Sequence, residues 1–130
     1  MDQVNFLTLE NIIDIHDHLL QAFGGSYGLR DQNLLESALH QPQLQFDNRY
    51  VCDDLCSMAA AYAYHIIKNH PFVDGNKRTG VFSAITFLEF NDQMIDLGNQ
   101  QLYQLAIDIA ESKIPKDAIA EFLRKNVLES

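Results

Sequence analysis

Apolar residues at three- and four-residue steps, interrupted by proline and paired glycine, constrain this chain to a bundle of short helices. Leu9, Ile12, Ile13, Leu19, Leu20 and Phe23 form the first series, behind a capping residue, Thr8, and before Gly24-Gly25. Asp31 can cap a shorter helix carrying Leu34, Leu35, Ala38 and Leu39, which Pro42 closes. Residues 42–52, PQLQFDNRYVC, carry no helical period and are expected to form a loop or a short extended hairpin. Asp53 or Asp54 opens the apolar run DLCSMAAAYAYHIIKNH, whose Ala59, Ala60, Ala61 and Ala63 suit a central helix with close neighbours; Pro71 ends it. A second buried helix is predicted from about Lys77 to Asn91, with Val81, Phe82, Ile85, Leu88 and Phe90 as its apolar residues. QMIDL at 93–97 is expected as a short strand, Asn99 as a helix cap, and Pro115 as a first-turn residue of the last helix. With 130 residues and no repeat or linker, the expectation is one all-α domain over 1–130, a compact helical bundle with at most short β segments.

Composition narrows the function. The apolar fraction of 47% and charged fraction of 21% are those of a soluble globular protein, and no apolar run approaches a membrane span. MDQVNF lacks a signal-peptide pattern, which points to the cytoplasm. Cys52 and Cys56 have no partners at zinc spacing and read as free thiols. His16 and His18 do not read as a metal pair, because residues two apart on a helix do not share a face. A net charge of −9 argues against a nucleic-acid surface. Yet Lys68, Lys77 and Arg78 place three of the nine Lys and Arg residues close together, a field suited to a small anion rather than a polyanion.

That cluster surrounds the one chemically dense stretch, H70-P-F-V-D-G-N-K-R-T-G80. A helix beginning at Gly75-Asn76 presents first-turn N–H groups without intrahelical partners, backed by the positive end of the helix dipole. Lys77 and Arg78 add full charges, and Arg78 offers a planar fork for two phosphate oxygens. Gly75 keeps a side chain out of the way. Asp74 beside such a cradle is tolerable if a divalent cation bridges it to the phosphates. Asn76 can orient a phosphate oxygen or tie down the loop, and a neutral His70 can take a proton from an incoming hydroxyl. The spacing does not fit a Walker A loop. Together these parts describe transfer of a phosphate-containing group to an alcohol.

The stretch resembles the central motif of the Fic/Doc family, H-P-F-x-[D/E]-G-N-[G/K]-R, and GLRDQNLLESALHQPQ upstream looks like its death-on-curing branch of toxin–antitoxin toxins. The resemblance spans roughly residues 5–125. It implies that His70 is the general base for a hydroxyl of a target protein and that Asp74 holds Mg2+. Asn76 and the N–H groups around Gly75 would form an anion hole, with Lys77 and Arg78 on the ATP phosphates. Phe72, carried with this nucleotide-binding group, would anchor the loop in the core.

Family members that transfer AMP usually carry glycine after the asparagine and a second arginine three residues past the first; here those places hold Lys77 and Val81. Lysine matches the branch that binds ATP in reversed orientation and transfers its γ-phosphate, with elongation factor Tu as the best-known target. Thr79-Gly80 departs from the usual Thr-Ala, a change expected to be tolerated at up to ~1 kcal/mol. No self-inhibiting [S/T]-x-x-x-E-[G/N] segment is visible, since Phe6 stands four residues before Glu10-Asn11; the resemblance therefore implies a separate antitoxin partner. The loop at 42–52 would dock the target as an added strand, with Leu44, Phe46 and Tyr50 as clamps, although Phe46 equally suits the core. AMP transfer, or a catalytically idle binding module, are the alternatives.

Overall fold

A computed structural model describes residues 3–128. Among the described residues six α-helices follow in order: α1 Leu9–Phe23, α2 Gln32–His40, α3 Leu55–Asn69, α4 Asn76–Phe90, α5 Asn99–Ala110 and α6 Lys116–Lys125. A two-stranded hairpin, β1 Gln45–Phe46 and β2 Arg49–Tyr50, interrupts them between α2 and α3. The architecture is all-α, and no helix among the described residues is long and apolar enough to cross a membrane.

The starts follow local chemistry. Thr8 accepts from the Asn11 amide while the Asn11 side chain accepts from the Thr8 amide, a reciprocal cap. Asp31 and Asp54 cap α2 and α3 through the amides of Leu34 and Ser57. Asp54 also binds the Arg124 guanidinium at 2.7 Å, bracing α6 against the start of α3.

α3 is the axis of the bundle and packs against α2, α4, α5 and α6. Its alanines at 59, 60, 61 and 63 are fully buried and let neighbouring backbones approach. The approach is close at Gly80 of α4, where an added Cβ would lie 2.7 Å from Ile67 Cγ1 and 3.0 Å from the Ala63 carbonyl oxygen. Gly80 is thus a requirement of helix packing, not the mild loss of propensity expected from sequence.

Five other expectations need correction. Residues 93–97 form no strand; Ile95 makes an isolated bridge to Val127, closed by the Asp96 amide on the Asn126 carbonyl and the Leu128 amide on the Met94 carbonyl, and the pairing extends no further among the described residues. Gly98 occupies the cap of α5, with Asn99 already helical, and Pro115 caps α6 from outside its first turn. Phe90 is exposed at the end of α4. Lys68 points away from Lys77 and Arg78, its ammonium meeting the Ser112 hydroxyl and lying over the Tyr64 ring.

Candidate active site

The loop between α3 and α4 owes its shape to two left-handed residues. His70 ends α3 at φ 52° and ψ 54°, and Gly75 precedes α4 at φ 80° and ψ 15°. Between them Phe72 is 1% exposed and stacks on His16, ring centroids 3.8 Å apart. Asn76 turns its side chain inward, its Oδ1 accepting from the Phe72 amide and its Nδ2 donating to the Phe72 carbonyl, both at 2.9 Å.

The connection from α1 to α2 runs beside this loop as a brace. The Val73 amide donates to the Gly28 carbonyl at 3.0 Å, and the amides of Arg30 and Asp31 both donate to the Pro71 carbonyl. Gly25, at φ +125°, has no room for a side chain, since a Cβ would fall 2.8 Å from Asp74 Oδ2. The brace therefore closes directly onto the carboxylate. The Ser26 amide donates to Asp74 Oδ2 at 3.0 Å, and the Gly75 amide donates to Oδ1 at 2.9 Å. These two N–H donors, Ser26 first, hold the Asp74 carboxyl below the usual carboxylate range, so it is ionised at neutral pH.

A cleft of about 560 Å³ opens on this loop. His70, Asp74, Gly75, Asn76, Lys77 and Arg78 line one side; Asn99, Gln100 and Tyr103 of α5 line the other, with Val81 and Ile67 among the apolar residues of the wall. No side chain caps α4, and its first internal amide bond is Thr79 to the Gly75 carbonyl, so the amides of Asn76, Lys77 and Arg78 have no helical acceptor. Arg78 rests on the Phe23 ring, 4.2 Å from its centroid. Neither Lys77 nor Arg78 forms an ion pair among the described residues. The cleft thus joins an imidazole, an ionised carboxylate, unpaired helix-start amides and two cations.

Three assignments change. Phe72 does not line the cleft and serves as an anchor only. The Gly75 amide, expected in an anion hole, is already bonded to Asp74, which moves the available amides to Asn76, Lys77 and Arg78. The Asn76 side chain is committed to Phe72, leaving its backbone N–H to face a ligand.

Sequence reasoning missed two supports. His16, set aside there as a metal ligand, is 2% exposed and donates from Nε2 to the Asp74 carbonyl at 2.7 Å. Arg30 donates from Nε to the His70 carbonyl at 2.7 Å. A histidine on the apolar face of α1 was the only local sign of the first.

Asp74 is a lone carboxylate here, for no group of three metal-ligating side chains occurs among the described residues. Its oxygens keep free lone pairs at the exposed cleft, which fits a hard cation that draws its remaining ligands from phosphate and water.

The family model for the Fic/DOC family matches residues 6–88. "Protein kinase doc" of Escherichia phage P1 is 28% identical over 116 residues, covering 89% of this chain and 90% of the relative. "Toxin Doc" of Mycolicibacterium smegmatis is 35% identical over 101 residues, covering 76% of this chain and 78% of the relative. With its motif loop folded onto a cleft of this chemistry, the chain belongs to the Fic/Doc family.

Proposed function

We propose that the chain is the toxin of a toxin–antitoxin pair, a protein kinase that moves the γ-phosphate of ATP onto a Ser or Thr hydroxyl of a target protein, with elongation factor Tu the expected target. The observation that carries this reading is the meeting of His70, Asp74, the open amides of α4 and two unpaired cations on one cleft. The relatives, one called a protein kinase and the other a toxin, support it.

His70 accepts the hydroxyl proton as the oxygen attacks phosphorus. The new oxygen–phosphorus bond replaces the bond from the γ-phosphorus to its bridging oxygen, and ADP leaves. Lys77, Arg78 and the α4 amides hold the phosphate oxygens through the change. Mg2+ on Asp74 would neutralise phosphate charge during transfer. Tyr103 and the amides of Asn99 and Gln100 offer an aromatic face and polar groups to a nucleoside. The hairpin supports target docking, because Leu44, Phe46 and Val51 are 45%, 80% and 64% exposed. Tyr50 is withdrawn from that role by its contact with Phe6. An antitoxin from the same operon supplies inhibition in the cytoplasm.

AMP transfer is the second reading. Against it stands Val81, 2% exposed in the cleft wall where a second phosphate-binding cation would be needed. Incubation with elongation factor Tu and ATP labelled at the α- or the γ-phosphate separates the two. Label from γ is expected; label from α favours nucleotide transfer, and no label from either leaves a binding module.

A further inference from the structure

His70 leaves α3 in a left-handed conformation that residues with a Cβ adopt only where their surroundings hold them. The holding group lies 40 residues earlier in the chain. Arg30 Nε donates to the His70 carbonyl at 2.7 Å, and Nη2 donates to the Asn69 carbonyl at 3.0 Å. The backbone amide of Arg30 donates to the Pro71 carbonyl, also at 2.7 Å. One residue thus fixes three consecutive carbonyls at the turn from which the imidazole projects. The planar fork suits two adjacent acceptors, and a cation suits the negative end of α3. Arg30 does not line the cleft, so its charge is not part of the phosphate grip.

We infer that Arg30 is a positioning residue that sets the direction of the His70 imidazole. The inference rests on the reading of His70 as the base. Water could satisfy the same carbonyls at this exposed helix end, and removing Arg30 leaves the core untouched. What water cannot supply is a fixed turn, and a misplacement of about 1 Å at a reacting group can lower a rate about 10²-fold.

The test compares the parent with Arg30→Ala and Arg30→Lys, using γ-labelled ATP and elongation factor Tu over a range of ATP concentrations. For Arg30→Ala, kcat is expected to fall about 10- to 100-fold. KM for ATP should stay within about threefold, because α4, Lys77 and Arg78 are unaltered. Arg30→Lys should fall between, since an ammonium is a point donor rather than a fork. The His70 NMR resonances should move in Arg30→Ala while those of Ala84 within α4 stay. An unchanged kcat overturns the inference. So does a joint loss of kcat and ATP affinity that tracks a fall in Tm, which marks general loosening. If the parent transfers no label, the kinase reading fails, and the His70 resonances alone then decide, with unmoved signals overturning the positioning role.

Discussion

His16 Nε2 lies 2.7 Å from the carbonyl oxygen of Asp74, with its ring stacked on Phe72 at an interplanar angle of 8°. One buried imidazole from α1 therefore fixes both the anchor of the motif loop and the backbone of its carboxylate.

His16→Phe keeps an aromatic ring on Phe72 but removes the donor. The stranded Asp74 carbonyl should lower stability by about 1–2 kcal/mol, leaving the chain folded. The backbone that carries the carboxylate then loses one of its supports, and, on the proposed reading of Asp74 as the residue that holds Mg2+, the Mg2+ concentration for half-maximal transfer should rise about tenfold or more. A magnesium titration of activity checks this, and an unchanged midpoint would show that the loop holds Asp74 without help.

His70, the proposed base, sits on a strained backbone. At φ 52° its Cβ costs about 1–2 kcal/mol relative to a relaxed backbone. His70→Ala and His70→Gly should each reduce transfer about 10²–10⁴-fold by removing the proposed base. They should differ in stability, with the glycine variant about 1 kcal/mol more stable than the alanine variant, because glycine takes the left-handed cap freely. Urea unfolding of the pair decides it; equal midpoints would mean that the turn is not strained.

How much of this was legible in the sequence depends on the range of the interaction. Thr8, Asp31, Asp54 and Pro71 act on neighbours within four residues, and their caps and stops lie where the pattern indicates. The motif loop is equally local, so His70, Asp74, Lys77 and Arg78 reach one cleft as expected. His16 acts on a residue 58 positions away, and the pairing of α1 with that loop is a property of the assembled bundle. The direction of Lys68 toward Ser112 and the lone bridge at Ile95 are likewise decided by tertiary packing, whereas the tie of Asn76 to Phe72, four residues away, was one of the two duties its place in the loop offered.

Gly80 gives a case where packing reverses the sign of a propensity argument. Alanine gains up to about 1 kcal/mol as a helix former. Its Cβ, however, would press on Ile67 and on the Ala63 carbonyl at 3.0 Å, and backbone there cannot yield without separating α3 from α4. Overpacking of this kind costs about 1–3 kcal/mol, so Gly80→Ala should be destabilised by roughly 1–2 kcal/mol. Because Ile67 also lines the cleft, nucleotide affinity should weaken with it. A thermal unfolding curve at or above that of the parent would contradict the close contact.

Three residues further along α4, Ser83 is fully buried with no partner for its hydroxyl. A desolvated, unpaired hydroxyl opposes folding, and alanine is the better helix former. Ser83→Ala should therefore raise stability by about 0.5–1 kcal/mol, since only one atom of packing is lost. Transfer activity should not change, as Ser83 is absent from the cleft lining. A loss of stability would reveal a hydrogen bond to this hydroxyl.

The acid side of the stability profile should carry the signature of His65. Burial, aided by the ammonium of Lys116 2.8 Å from its Nε2, pushes this imidazole down from 6.5 to about 4. Lys116 donates that hydrogen bond, so the folded state requires a neutral ring. Between pH 6.5 and 4 the unfolded chain binds a proton that the folded chain refuses, and stability must fall as the pH is lowered through this window. Above it neither state is protonated at His65 and no penalty applies; below it both are, and the penalty is complete. The full linkage corresponds to about 3 kcal/mol, which solvent screening of a half-buried ring reduces to about 1–2 kcal/mol. His65→Gln removes the titration, so the stability difference between pH 7 and pH 4 should shrink by that amount relative to the parent. Urea unfolding at both pH values measures it, and parallel losses in the two proteins would place the acid sensitivity elsewhere.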